Sequence, residues 1–280
     1  MKGKNRKTEV EAPWRGAADP NWCWTVTRRK FADDVLYTLG ALAETLMTRG
    51  RSLTWGPGIP RQRAYQAAVQ RLKKQGLVAY RKTGGKTPGL FLTAEGDARL
   101  EASLRPEPYW QSPWDGTWYV LVFDVPERHR GYRFALRGFL NRMRMGGLQR
   151  SVWVSPRDIR PAYKDLDIAA SVKDFCFLLQ SRTVLGQPPG EIVARAWPMD
   201  VLRSNQEQYL RVFKARLLRL KEKPPASADL HALLREERIA YLSAMEKDPL
   251  LPESLWPAGY LGRQVYSLHR ILLEEIGRRL

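Results

Sequence analysis

The 280-residue chain has little of what most metal and redox sites are built from: two cysteines, Cys23 and Cys176, and three histidines, His129, His231 and His269. Cysteines so few and so far apart exclude a disulfide framework and fit a reducing cytoplasm. The isolated histidines cannot complete a zinc finger with them. Long apolar runs are missing too. The longest, Trp118 to Phe123 and Phe175 to Leu179, are far too short to span a bilayer. The amino-terminal MKGKNRKTEVEAPWRG lacks the apolar core of a signal peptide. There is no glycine-rich phosphate loop, Ser-His-Asp set or Cys-His pair. These absences predict a cytoplasmic protein with no membrane association, no metal, no cofactor and no enzymatic activity.

Acidic residues are the other scarcity: 29 Asp and Glu stand against 47 Lys and Arg, a formal charge of +18. Such an excess attracts polyanions with strong salt dependence. A merely soluble basic protein has the same total, so clustering must decide. From Arg51 to Ala94 there are nine Lys and Arg residues and no carboxylate. Within this block, IPRQRAYQAAVQRLKKQGL (59–77) predicts a helix with Ala64, Ala68, Leu72 and Leu77 inward. VAYRKTGGKTPGLFLT (78–93) then predicts two short strands around Gly84-Gly85. A helix followed by a basic hairpin is the layout of a winged helix-turn-helix, whose partner is double-stranded DNA. Arg61, Gln62, Arg63 and Gln66 fall in the first helical turns, where Arg suits guanine and Gln suits adenine. Arg71 stays available to the DNA on the same helix, and Arg81, Lys82 and Lys86 suit phosphates. The alternative is a solvated basic helix in a protein-binding adaptor.

The whole chain reads as α+β. Residues 1–30 form a basic arm or strap, and 31–105 the winged helix, opened by a helix from Phe31 to Met47 and closed by one from Glu95 to Leu104. The proline-rich 106–113 is a stiff linker. Residues 114–200 form a ferredoxin-like, dimerising domain, and 201–280 a helical C-terminal region. In the central part, strands are expected at Trp118 to Val125, Gln149 to Val154 and Phe175 to Gln180. A helix is expected from Arg130 to Met145, and Gly190 to Trp197 should return to the sheet or cap it. Eight arginines and no carboxylate lie between Arg128 and Arg157. Arg130, Arg133, Arg137 and Arg144 recur at helical spacing, as secondary phosphate contacts or as members of internal ion pairs. Trp110, Trp114, Trp118 and Trp153 gather near the start of this domain, either lining an apolar pocket or forming core.

Residues 114–158, from Trp114-Asp115-Gly116 and Trp118 through Phe123-Asp124 and Pro126-Glu127 to Ser151–Pro156, resemble the central domain of the PaaX-type repressors of phenylacetic acid degradation. The segment AYQAAVQRLKKQGLV and the tail DPLLPESLWP (248–257) are similar to the family's as well. The resemblance implies a homodimeric transcriptional repressor with a winged helix, released from DNA by an aryl-acyl coenzyme A effector whose site no residue here identifies.

The central domain also resembles the small ferredoxin-like subunit of CRISPR spacer acquisition, with Asp124 at the end of a first strand and Ser151-Val152-Trp153 in a second. That likeness implies an alternative, a DNA-processing protein in which Asp124, with Glu127 and their copies across a dimer axis, holds magnesium for phosphodiester cleavage. A strand-end Asp that satisfies loop amides is the plainer account of the same residue. A basic scaffold for RNA or a protein partner is the third class.

Overall fold

The computed structural model describes residues 62–81, 89–95, 105–163, 175–184, 186–222 and 227–279. The expected arm (1–30) and helix Phe31 to Met47 lie outside them, as does most of the closing helix after Glu95. The chain is α+β and divides into two units. One comprises Pro106–Ser204 and Lys247–Tyr260; the other comprises Met1–Arg105, Asn205–Glu246 and Leu261–Leu280.

In the second of these, α1 (Gln62–Lys74) is followed by the antiparallel strands β1 (Val78–Arg81) and β2 (Gly89–Leu92), in register Val78↔Leu92 to Arg81↔Gly89. The helix stops for a local reason. Gly76 takes a left-handed φ of 72°, its N–H bonds Lys73 O, and Leu77 N–H bonds Leu72 O, each at 3.0 Å. This pairing satisfies the orphan carbonyls of a helix end, and the buried Leu77 folds back on it.

The other unit begins with a one-turn helix, α2 (Glu107–Trp110), where the prolines had suggested a stiff spacer. Trp110 is buried, and its indole donates to the Tyr260 hydroxyl at 3.1 Å, so the segment is held inward rather than extended. Then come β3 (Trp118–Phe123), a short 3-10 turn, α3 (Arg130–Arg142), β4 (Gly146–Gln149), β5 (Val152–Ser155), β6 (Cys176–Ser181) and α4 (Pro189–Ala196). The strands form one sheet in the order β4-β5-β3-β6, every neighbour antiparallel. This is the order and direction of a split β-α-β sheet.

Two expectations need correction. The single strand over Gln149 to Val154 is a hairpin, β4 and β5, because Arg150 and Ser151 turn the chain. And α3 stops at Arg142, with Arg144 at φ 52°, so Arg144 is not on the helix with Arg130, Arg133 and Arg137.

Alternation along β3 explains the core. Tyr119 and Leu121 face α3 with Leu136, Phe139 and Leu140. Trp118 and Val120 face α4 and the segment 251–256 with Ile192, Val193, Trp197, Leu251 and Leu255. A strand buried on both faces reads as an unbroken apolar run, as WYVLVF does.

The Trp-Asp-Gly-x-Trp opening is a turn device. Asp115 accepts the Thr117 N–H at 2.8 Å, which lowers its pKa. Gly116 takes φ 83°, and the Trp114 indole donates to Thr117 O at 2.9 Å while its ring stands edge-on to Trp118 at 5.1 Å.

The buried Ser155 does the same at the end of β5. Its hydroxyl accepts the Arg157 N–H at 3.1 Å and donates to Arg157 O at 3.0 Å. Arg157 is thereby aimed at the segment after Lys247, donating to Leu250 O at 2.8 Å and Pro249 O at 3.2 Å. Its guanidinium lies over the Tyr109 ring at 5.1 Å. Arg144 donates to Asp248 O, and Asp248 accepts the Leu250 N–H and the Tyr260 hydroxyl, each at 2.8 Å. Burial first, and the nearby Arg144 second, pull the Arg157 pKa down to about 10. A depressed pKa means that the folded state bears the cost of this charge at every pH below that value; the cost fades only as pH rises through it. At neutral pH the carbonyls offset it.

Three long helices follow among the described residues, α5 (Met199–Glu222), α6 (Ser227–Met245) and α7 (Gly262–Gly277). They share a buried polar centre in the unit that holds most of them. Glu237 accepts the Tyr209 hydroxyl at 2.6 Å and pairs with His269 Nδ1 at 2.6 Å, and the His269 ring stacks on Tyr241 at 3.7 Å. Arg216 and Glu236 form a second buried pair at 2.7 Å.

Two outcomes follow from the packing. A Cβ at Gly146 would stand 2.6 Å from Ala196 Cβ and from the Trp197 ring, whereas at Gly147 the nearest atom is 3.6 Å away. Gly146→Ala therefore costs about 1–3 kcal/mol in chemical unfolding, by overpacking, and Gly147→Ala costs clearly less. Arg157→Ala, which strips charge-assisted bonds from the 249–250 carbonyls, costs about 2–3 kcal/mol by the same measurement, and Arg157→Lys recovers part of it.

Candidate nucleic-acid interface

On α1 the inward face carries Val69 and Leu72, each 2 % exposed, and the outward face carries Gln66, Arg71, Lys73 and Lys74. Periodicity placed Leu72 inward correctly and overlooked Val69. The basic last turn, Arg71, Lys73 and Lys74, sits where a helix dipole favours cations. Arg71 Nε donates to Ala67 O at 3.3 Å, which fixes the root of the side chain while the residue stays exposed. Lys73 Nζ lies 5.7 Å from the centre of the Tyr80 ring, and Tyr80 itself is half exposed on β1. Lys73, Lys74 and Tyr80 belong to this surface although the sequence did not single them out. Their signal was available as a cationic final turn followed by an outward aromatic.

The helix and the strand pair are tied together locally. Thr93, just past β2, donates its N–H to Leu77 O at 3.1 Å and its hydroxyl to Gly76 O at 2.6 Å. Gln62 and Arg63 lie in the first turn of α1, and Arg81 ends β1. Arg61, Lys82 and Lys86 lie outside the described residues.

The arginines of the central unit divide into two kinds. Arg130 and Arg137 are exposed on α3. Arg133 is engaged: it donates to Glu127 Oε2 at 2.8 Å and to Val125 O at 2.7 Å, closing the loop between β3 and α3. Arg144 is turned inward on Asp248 O. Arg157, absent from the candidate set, is the structural centre of this group, because its partners lie about ninety residues further along the chain.

Asp124 is exposed immediately beyond β3, its N–H donating to Phe175 O at 2.9 Å. The Glu127 carboxylate, its suggested companion, is taken by Arg133. Among the described residues no three or more Asp, Glu, His or Cys side chains converge in a metal-binding group. Trp114 and Trp118 pack in the same core cluster as Trp256, which Trp110 meets, whereas Trp153 packs on the other face of the sheet. Trp110 packs edge-on against Trp256 and Tyr260, Trp114 against Trp118, and Trp153 bonds Arg150 O within the β4–β5 hairpin. Among the described residues no helix is long and apolar enough to cross a membrane.

Comparison with known proteins places this unit. Residues 111–193 match the family model described as the PaaX protein central Cas2-like domain. The chain is similar in fold to the uncharacterised protein Rv0674 from Mycobacterium tuberculosis, with a TM-score of 0.52 and 17 % sequence identity over 86 % of this chain and 96 % of that one. No curated protein matches the chain. The match begins at the end of α2 and runs through the sheet into α4, so it takes in the Asp115 turn, the Ser155 turn and Arg157. Residues 111–193 are thus similar to the central Cas2-like domain of PaaX proteins.

Proposed function

We propose that the protein is a DNA-binding transcriptional regulator of the PaaX type, acting as a homodimeric repressor that reads two operator half-sites and responds to an aryl-acyl coenzyme A effector. The observation that carries this reading is α1. One side of it is buried through Val69 and Leu72 and the other presents Gln66, Arg71, Lys73 and Lys74, and a strand pair with Arg81 at its turn follows directly. In this reading α1 is the recognition helix of a winged helix-turn-helix and β1–β2 its wing. The net charge of +18 supplies the long-range attraction. Arg61, Gln62, Arg63 and Gln66 supply base contacts, and Arg71, Arg81, Lys82 and Lys86 supply phosphate contacts. Asp124 acts as a strand-end residue and the protein has no catalytic role.

The central arginines enter the same reading in two parts. Arg130 and Arg137, exposed on α3, are proposed as secondary phosphate contacts. Arg133 and Arg144, held by Glu127, Val125 O and Asp248 O, serve the fold.

Footprinting on the DNA upstream of the protein's own gene is expected to protect a discrete inverted repeat at moderate salt; uniform protection or none excludes a specific repressor. On that site Gln66→Ala costs about 1–3 kcal/mol of discrimination at one base pair. Arg71→Ala leaves sequence preference intact and lowers the slope of log K against log salt by about one. For the central arginines, Arg130→Ala with Arg137→Ala reduces that slope with thermal stability unchanged. Arg133→Ala and Arg144→Ala lower stability instead, and the reverse pattern refutes the division.

A further inference from the structure

The two edges of the central sheet are treated differently. At one edge, β4 is short and starts at Gly146, against which Ala196 and Trp197 are packed. At the other, β6 is the end of the sheet among the described strands, and its sequence, CFLLQS, contains no charge and no proline. Natural edge strands are normally blunted by such residues. β6 instead exposes Phe177 at 64 % and Leu179 at 52 %.

The register shows what this edge offers. Asp124 N–H donates to Phe175 O, and β3 and β6 pair from Phe123↔Cys176 to Trp118↔Ser181. Hydrogen-bonded pairs alternate along an antiparallel ladder, so residues 177, 179 and 181 direct their backbone groups at β3. Leu178 and Gln180 therefore direct theirs outward. On one face of the sheet, Val152, Val122 and Phe177 lie side by side across three strands, and so do Val154, Val120 and Leu179. Both rows run from buried or half-buried valines to an exposed side chain on β6.

We infer that β6 is the homodimer edge, pairing antiparallel with β6 of a second copy about a two-fold axis through Leu178 to make one continuous eight-stranded sheet. The pattern is self-complementary at this register. Leu178 meets Leu178 as a hydrogen-bonded pair, and Phe177 of each copy falls opposite Leu179 of the other at a non-hydrogen-bonded position, where side chains stand closest. Each apolar row then runs unbroken through both sheets. Charge selects the same place, since a chain of +18 meets its own copy with least repulsion along a strand without cations.

Area sets the strength. Phe177 and Leu179 together expose roughly 200 Å² per copy by the usual size of such side chains. The strand pair alone thus falls below the ~1,200 Å² of stable interfaces, and the free protein is in concentration-dependent exchange. The inference rests on the dimeric reading for its biological meaning, though not for its geometry.

Sedimentation velocity across a concentration series up to about 100 µM is expected to show the full chain shifting from monomer to dimer, as weak interfaces do. Phe177→Glu with Leu179→Glu, which sets like charges opposite each other, is expected to hold it monomeric with an unchanged circular dichroism spectrum. Leu178→Cys is expected to give a symmetric disulfide on mild oxidation, since paired Cα atoms about 5.5 Å apart allow one. Val201→Cys, on an exposed helical position, should give none at the same concentration. A wild type that stays monomeric overturns the inference, as does a double-Glu variant that dimerises normally. DNA binding separates this from the regulatory proposal. A wild type that dimerises through β6 but ignores its upstream DNA leaves the edge standing and removes the repressor. One that footprints there while its dimer survives the Glu substitutions does the opposite.

Discussion

The central unit depends on two half-buried arginines bonded to backbone carbonyls. Arg157, aimed by the Ser155 turn, and Arg144, placed by its left-handed backbone beyond α3, together hold the 248–250 segment against the sheet. A guanidinium taken out of water must have its donors satisfied, and here chain carbonyls rather than carboxylates satisfy them. Asp248 completes the arrangement by bonding its own loop and Tyr260, which in turn receives Trp110. The tail motif DPLLPESLWP and the Ser-Val-Trp-Val-Ser-Pro strand, far apart in the chain, are thus two halves of one contact. Leu251 and Leu255 add the apolar half by entering the core beside Trp118 and Trp197.

The helical unit solves a similar problem with ion pairs. Glu237 lies where α5, α6 and α7 face one another and takes hydrogen bonds from both Tyr209 and His269. Nearby in sequence, Glu236 is paired with Arg216. Pairs of this kind add little net stability over apolar packing, but removing one partner strands a buried charge. They join α5 to α6 and α6 to α7 at buried positions.

Function is divided accordingly. Of the cations proposed to read DNA, Arg63, Arg71 and Arg81 belong to a short helix and strand pair whose geometry is set by a local glycine cap and by Thr93. The arginines of the central unit are split between solvent-facing positions on α3 and structural ones. A high arginine count is therefore no measure of a DNA surface, since Arg133, Arg144 and Arg157 are consumed by loops of the fold itself.

Much of this was legible in the chain. The apolar run of β3, the helical periodicity of α3 and the basic block with its glycine all follow from local patterning, so the α+β class and the antiparallel sheet could be read directly. Motif matches pointed to the PaaX-type domain that the family model then found. Where reading failed, the deciding contact was remote. The inward turn of 106–110 depends on Tyr260, and the structural use of Arg144 depends on Asp248. Sequence by itself determined which segments become helix or strand and where positive charge accumulates, because those are properties of near neighbours. Only the tertiary structure decided which charges are spent inside, since that depends on carbonyls some hundred residues away.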